Sequence, residues 1–225
     1  MLKLIIANKL YSSWSLRPWL VLKVFGIPFE EIQIPLRTPE SRSRVLEYSP
    51  SGKVPALLDG DTTVWESMAI IEYLAEKFAD RPIWPRDGKA RAHARAISNE
   101  MHAGFQALRQ GCPMHLGARF ATPELTEPLK ANVDRVEDIW SEARNRFSGG
   151  SGPFLYGAFS AADAMYAPVV TRLDTFQIPV RETTRAYMDA VLAHPAYLEW
   201  RGSALKEPWT IADYASGHTL IESFI

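Results

Sequence analysis

The sequence predicts a small α/β unit of 80 residues followed by a larger, all-helical unit. Three observations carry this expectation. The first 80 residues show the order β-α-β-α-β-β-α. A stretch with two prolines and a glycine, "DRPIWPRDG" (80–88), then interrupts the pattern, as linkers do. Beyond it no segment carries a convincing strand pattern, while several carry helical ones. The expected organisation is an α/β domain over 1–80, a linker over 81–88 and a helical domain over 89–225.

"LKLIIA" (2–7) is a short apolar run bounded by polar residues, which suits a buried strand. "SLRPWLVLKVFG" (15–26) spaces Leu16, Trp19, Leu20, Leu22 and Val24 as a helix does, with Gly26 as its stop. Ser15 as N-cap would put Pro18 at the third helical position, where the missing N–H costs nothing. "FEEIQI" (29–34) alternates like a strand and ends at Pro35. "ESRSRVLEY" (40–48) is a short helix and "SPSGKVP" (49–55) a loop. "ALL" (56–58) and "TVW" (63–65) flank "DGD" as a hairpin. "ESMAIIEYLAEKFA" (66–79) sets Met68, Ile71, Leu74 and Phe78 on one side of a helix. Further helices are expected near 89–111, 123–147, 160–174, 181–193 and 195–204, with "SGGSGP" (148–153) separating two of them.

The composition narrows the function classes. Apolar residues make up 47%, enough for a full core, and the formal charge is −1, so no basic surplus points to nucleic acid. No stretch is long and apolar enough to span a bilayer, and Lys3 interrupts the N-terminal run, so a cytoplasmic protein with no membrane partner is expected. Cys112 is the sole cysteine, which excludes an internal disulfide. The five histidines show no H-x-x-x-H spacing and no metal site is expected. No G-x-S-x-G elbow marks a serine hydrolase.

Three short stretches carry chemistry. In "LYSSWSLRPWL" (10–20), Ser12 and Ser13 fall between a strand end and a helix start. They could be turn and capping residues, or they could hold an anion at a helix N-terminus, where spare N–H groups and the dipole favour negative charge. In "GKVPAL" (52–57), Pro55 precedes a strand. A cis Val54–Pro55 bond would leave the Val54 main chain free to pair with a peptide-like ligand; a trans bond would make Pro55 an ordinary strand-start proline. In "WESMAI" (65–70), Glu66 and Ser67 open a helix, where Ser67 could cap it or bind a carboxylate.

Together these stretches resemble the glutathione transferase superfamily, over essentially the whole chain. "SSWSLR" is similar to the S-S-x-S-x-R signature of zeta-class enzymes and serine-type bacterial relatives. "GKVPAL" matches the cis-proline loop, "ESMAIIEYLAE" the helix that binds the γ-glutamyl end of glutathione, and "FSAADAMYAPV" (159–169) the buried capping box, with Ser160 and Asp163. The resemblance implies a thioredoxin-like domain followed by the helical domain of the family. It implies glutathione as co-substrate, a small electrophile, a homodimer, and no metal. The activity implied is glutathione transfer: a serine stabilises the thiolate, and the sulfur conjugates or isomerises the electrophile. Zeta-like spacing selects Ser12 and theta-like spacing Ser13; the signature favours Ser12. The zeta signature has a cysteine where this chain has Trp14, so isomerisation is the less favoured activity. No cysteine stands at the turn, which argues against glutaredoxin-type chemistry.

By motif, Val54 after Lys53 and before Pro55 pairs with the cysteinyl part of glutathione. Glu66 and Ser67 hold the γ-glutamyl amine and carboxylate, and Lys53 reaches the glycyl carboxylate. The electrophile is expected between the halves, walled by Trp14 and by "SNEMHAGFQALRQ" (98–110). There His102, Phe105, Gln106 and Arg109 share a helical face by their spacing. A stripe of that kind also suits domain or dimer packing. The alternative function is a non-catalytic relative that binds glutathione or hydrophobic ligands.

Overall fold

A computed structural model describes residues 1–225. The first half is a four-stranded sheet in the order β2-β1-β3-β4, flanked by helices. Strands β1 (Leu2–Ile6) and β2 (Phe29–Gln33) run parallel, joined across α1 (Ser13–Val24). Strand β3 (Ala56–Asp59) pairs antiparallel with β1 and with β4 (Thr62–Trp65). Helix α2 (Ser41–Leu46) leads to the Val54–Pro55 loop, and α3 (Ser67–Lys77) follows β4. This is the element order that the sequence predicted and the thioredoxin-like arrangement that the resemblance implied.

Helix α1 starts three residues earlier than its proline suggested. Ser12, not Ser15, is the N-cap, and its side chain accepts the Ser15 N–H. Pro18 is therefore the sixth helical residue and leaves the Trp14 carbonyl without its usual donor. Ser15 turns inward, where its hydroxyl accepts the Ala7 N–H at 3.2 Å.

The second half is helical with one exception. Helix α4 (Gly88–Ala103) is capped by Asp87, whose side chain accepts the Ala90 N–H. The single helix expected over 89–111 breaks after Ala103, and α5 (Gln106–Gly111) starts afresh. At the break a Cβ on Gly104 would lie 2.8 Å from the Glu100 carbonyl oxygen, and Phe105 takes a left-handed φ of 60°. Helix α6 (Glu127–Ala143) runs into a π-helical turn (Arg144–Ser148). Helices α7 (Ala161–Thr175), α8 (Glu182–Leu192) and α9 (Pro195–Ala204) complete the set. The exception corrects the expectation of no strands here: β5 (Ala118–Phe120) pairs antiparallel with β6 (Leu220–Ser223) near the C-terminus. Neither strand is long enough to show a sequence period.

Helix α7 is the central post. Every residue in it except Asp174 is buried, and it packs against α1 of the first half. One hydrophobic cluster runs through both halves, from Leu2 and Leu16 to Tyr166 and Trp200. The segment expected as a linker is docked rather than loose: Ile83 and Trp84 are buried, and the Ile83 carbonyl accepts the Ala161 N–H at 2.7 Å. No helix is long and apolar enough to cross a membrane.

Candidate active site

A cavity of about 650 Å³ opens where the two halves meet. Its floor is the β1–α1 turn, with Tyr11, Ser12, Ser13 and Trp14. The Ser12 hydroxyl sits at the positive end of α1 and donates to the Ser15 hydroxyl at 2.8 Å. The Ser13 hydroxyl accepts from Arg172 Nη2 at 3.4 Å. Both serines line the cavity while largely shielded from bulk water. Lys53 and Val54 form another wall, and the Val54–Pro55 peptide is cis.

The site is rich in guanidinium groups without carboxylate partners. Arg172, on α7, also donates to the carbonyls of Cys112 at 2.6 Å and Arg109 at 3.2 Å. Burial, then the neighbouring Arg109, pulls its pKa down to about 10. Arg109 donates to the Gly104 and Met101 carbonyls and lies 5.1 Å from the Trp14 ring centre. Arg17 is fully buried behind the wall, stacked 4.0 Å over Trp14. Its only polar contacts are the Ser67 hydroxyl at 3.5 Å and the Met101 sulfur at 3.3 Å, and its Nε has none. Burial, then Arg109 and Arg172, holds the Arg17 pKa well below the usual guanidinium range. An arginine buried among other arginines is costly unless an anion is brought to it.

The remaining expected residues divide. Glu66 and Ser67 do not line the cavity; they stand behind Trp14, linked to it through Arg17. Ser67 is fully buried at the start of α3, and Glu66 holds a left-handed φ of 70°, a strain of the kind that clusters at functional sites. His102 meets Trp14 at 5.0 Å and approaches Glu66 at 4.0 Å. Burial, then Arg17, lowers its pKa against the pull of Glu66, which favours the neutral imidazole. The shared face predicted for His102, Phe105, Gln106 and Arg109 is broken by the turn at Gly104. His102 and Arg109 converge on Trp14, Phe105 is buried in the core, and Gln106 points to solvent.

Sequence reasoning missed Arg172, Arg37 and the whole C-terminal wall. Asp213, Tyr214, Ser216 and His218 line the cavity, and Asp213 meets Arg37 at 3.8 Å across its mouth. Arg172 had a signal: a lone arginine within the apolar run "ADAMYAPVVTRL" belongs to a helix buried all round. The tail had none. Cys112 is beside the site but inert, since burial pushes its thiol up to about 12. No group of three His, Cys, Asp or Glu side chains is arranged to hold a metal.

A thioredoxin-like half with a serine turn and a cis-proline loop, opening on a cleft closed by a helical half, defines a transferase of the glutathione-dependent kind. Comparison with known proteins agrees. The glutathione S-transferase N-terminal domain family matches residues 11–77, and the C-terminal domain family matches 94–203. A probable maleylacetoacetate isomerase of Caenorhabditis elegans is 36% identical over 195 residues, covering 81% of this chain and 88% of that protein. A zeta-class glutathione S-transferase of Euphorbia esula is 26% identical, covering 79% and 82%. Among solved structures, a glutathione transferase of Methylococcus capsulatus shares the fold at a TM-score of 0.68 and 24% identity, covering 91% of this chain and 98% of that one. The chain belongs to the glutathione transferase superfamily and is an enzyme of that family, with zeta-class relatives.

Proposed function

We propose that this enzyme binds glutathione in the interdomain cavity, stabilises its thiolate through Ser12, and presents the sulfur to a small electrophile. The observation that carries the reading is the Ser12 hydroxyl at the N-terminus of α1, backed by the buried Ser15 hydroxyl, on the floor of a cavity whose Arg109 and Arg172 have no carboxylate partner. A free thiol has a pKa of about 8.5, so only a few per cent is ionised at pH 7. The helix terminus favours the anion. The Ser12 proton points at Ser15 in the resting enzyme, but Ser15 has a proton of its own to return. Ser12 can therefore turn its hydroxyl to the sulfur and keep a partner. In this reading Val54 pairs its main chain with the cysteinyl unit. The γ-glutamyl end reaches out of the cavity past Trp14 to the N-terminus of α3, at Glu66 and Ser67, and Lys53 takes the glycyl carboxylate.

The thiolate sulfur then bonds to an electrophilic carbon, and the leaving group departs with its electron pair. Isomerisation is a second reading, favoured by the relatives named as maleylacetoacetate isomerases and by the arginine-rich wall, which suits a carboxylate-bearing electrophile. There the sulfur adds, the activated carbon–carbon bond rotates, and the sulfur leaves again.

Turnover with a generic electrophile and the ultraviolet absorbance of the bound thiolate test the proposal. Ser12→Ala is expected to lose about ten-fold or more in turnover at neutral pH while keeping most of its glutathione affinity, since the other contacts remain. The bound-thiol pKa should rise by about a unit, equivalent to roughly 1.4 kcal/mol. The loss should shrink at higher pH, where solution supplies the thiolate. Ser13→Ala, whose hydroxyl is held by Arg172, should do less. An unchanged thiol pKa in Ser12→Ala would remove that serine from the mechanism; absence of glutathione binding by calorimetry would remove the proposal altogether.

A further inference from the structure

The turn that carries Ser12 and Ser13 is held from far away in the chain. Tyr11 and Ser12 both donate their N–H groups to the Asn8 carbonyl, which folds the turn on itself. The two amides inside that fold, Lys9 and Leu10, have no local acceptor. They donate to the two oxygens of one carboxylate, Glu207, at 2.6 Å and 3.2 Å, across 198 and 197 residues of sequence. Gln33 on β2 donates its side-chain amide to the same carboxylate and fixes its orientation. The matching carbonyls also find distant donors: Lys9 the Trp200 indole at 3.0 Å and Leu10 the Leu116 N–H at 3.1 Å.

Two successive N–H groups facing one way call for a bidentate, charged acceptor. Glutamine offers one acceptor and would set its own NH₂ against the second donor. The segment after α9 thus contributes more than a wall to the cavity. It supplies the acceptor that sets the path of the backbone two residues ahead of Ser12. Immediately beyond it, the Ile211 N–H donates to the Tyr11 hydroxyl at 3.2 Å, and Tyr214 packs on the Tyr11 ring at 4.8 Å.

We infer that Glu207 is a positioning residue: by gripping the Lys9 and Leu10 amides it sets the Ser12 hydroxyl for the glutathione sulfur, and the C-terminal tail is thereby part of the active site. The inference rests on the proposed role of Ser12. A misplacement of about 1 Å in a positioned group costs as much as a hundred-fold in rate, so loss of one anchor is expected to show clearly.

The test is made on the full-length chain with Glu207→Gln, Glu207→Ala and the double variant Ser12→Ala/Glu207→Gln. Glu207→Gln should lower kcat about ten-fold at neutral pH and raise the bound-thiol pKa by about a unit, with glutathione affinity changed by less than about three-fold. Because Glu207 acts through Ser12, the double variant should lose no more than Ser12→Ala alone. Gln33→Leu removes that amide's bonds to Glu207 and to the Ala7 carbonyl but keeps the Lys9 and Leu10 bonds to Glu207; it should shift the thiol pKa in the same direction by less, and it serves if the Glu207 variants do not fold. A folded Glu207→Gln with unchanged thiol pKa and kcat overturns the inference, as does a double variant whose losses simply multiply. If Ser12→Ala itself leaves the thiol pKa unchanged, the fault lies with the serine and not with its anchor.

Discussion

Asp163 shows how one side chain serves both the fold and its pH dependence. Its carboxylate lies wholly inside the helical half and accepts the N–H groups of Leu155 and Ser160 and the hydroxyls of Ser160 and Tyr187. These bonds favour the ionised form, but burial outweighs them and pushes the pKa up to about 6 from 3.8. The folded protein therefore takes up a proton that the unfolded chain still releases between about pH 6 and pH 4. Stability from this source is fully present below about pH 4 and is lost as pH rises through 6. Asp163→Asn loses acceptors and should cost about 1–3 kcal/mol at neutral pH. Because asparagine does not titrate, the gap between wild type and variant should widen by roughly 2–3 kcal/mol on going from pH 7.5 to pH 4. Urea midpoints of both proteins across that range measure it; a gap that stays constant or narrows on acidification contradicts the assignment.

At the scale of elements, the sheet of the first half, α3 and α7 were legible because their signals are local. Apolar runs, a hairpin turn and the Ser160–Asp163 capping box all lie within a few residues of what they determine. The same holds for the serine turn and the Val54–Pro55 loop. What was not legible is set by distant partners. The start of α1 is the one local exception: the Ser12 hydroxyl captures the Ser15 N–H and caps the helix there, overriding the preference of proline for a first turn. The break between α4 and α5 places Phe105 in a left-handed conformation, which for an aromatic residue only tertiary packing can hold; its ring is buried in the core. Strands β5 and β6 are three and four residues long and pair across a hundred residues, so neither alternates long enough to register. The C-terminal wall of the cavity and the contact of Arg172 with Ser13 are long-range in the same sense.

At the scale of the whole molecule, the two halves share one core. Strand β4 leaves an open sheet edge on which Trp65 is 42% exposed, and native proteins cover such edges. A homodimer of about twice 25.3 kDa is therefore expected by light scattering at micromolar concentration, and a single-chain mass would count against it. Within each chain the junction is apolar and continuous. Helices α1 and α7 pack directly, and the Trp19 and Trp200 rings meet at 5.1 Å across the boundary. Ile83 and Trp84 dock the connecting segment, Arg81 donates to the Phe25 carbonyl at 2.8 Å, and Arg95 on α4 forms a two-bond pair with Glu72 on α3. An interface of this kind couples the halves, so neither should unfold alone. Far-ultraviolet circular dichroism, dominated by the helical half, and tryptophan fluorescence, which samples both, should follow one denaturation curve. Ile83→Ala opens a void at the junction and should cost about 2–5 kcal/mol, moving both signals to lower denaturant together. If instead the fluorescence of the junction changes first and the helical signal holds, the halves are separately stable. The contacts between them would then be no more than adhesion between two independent units.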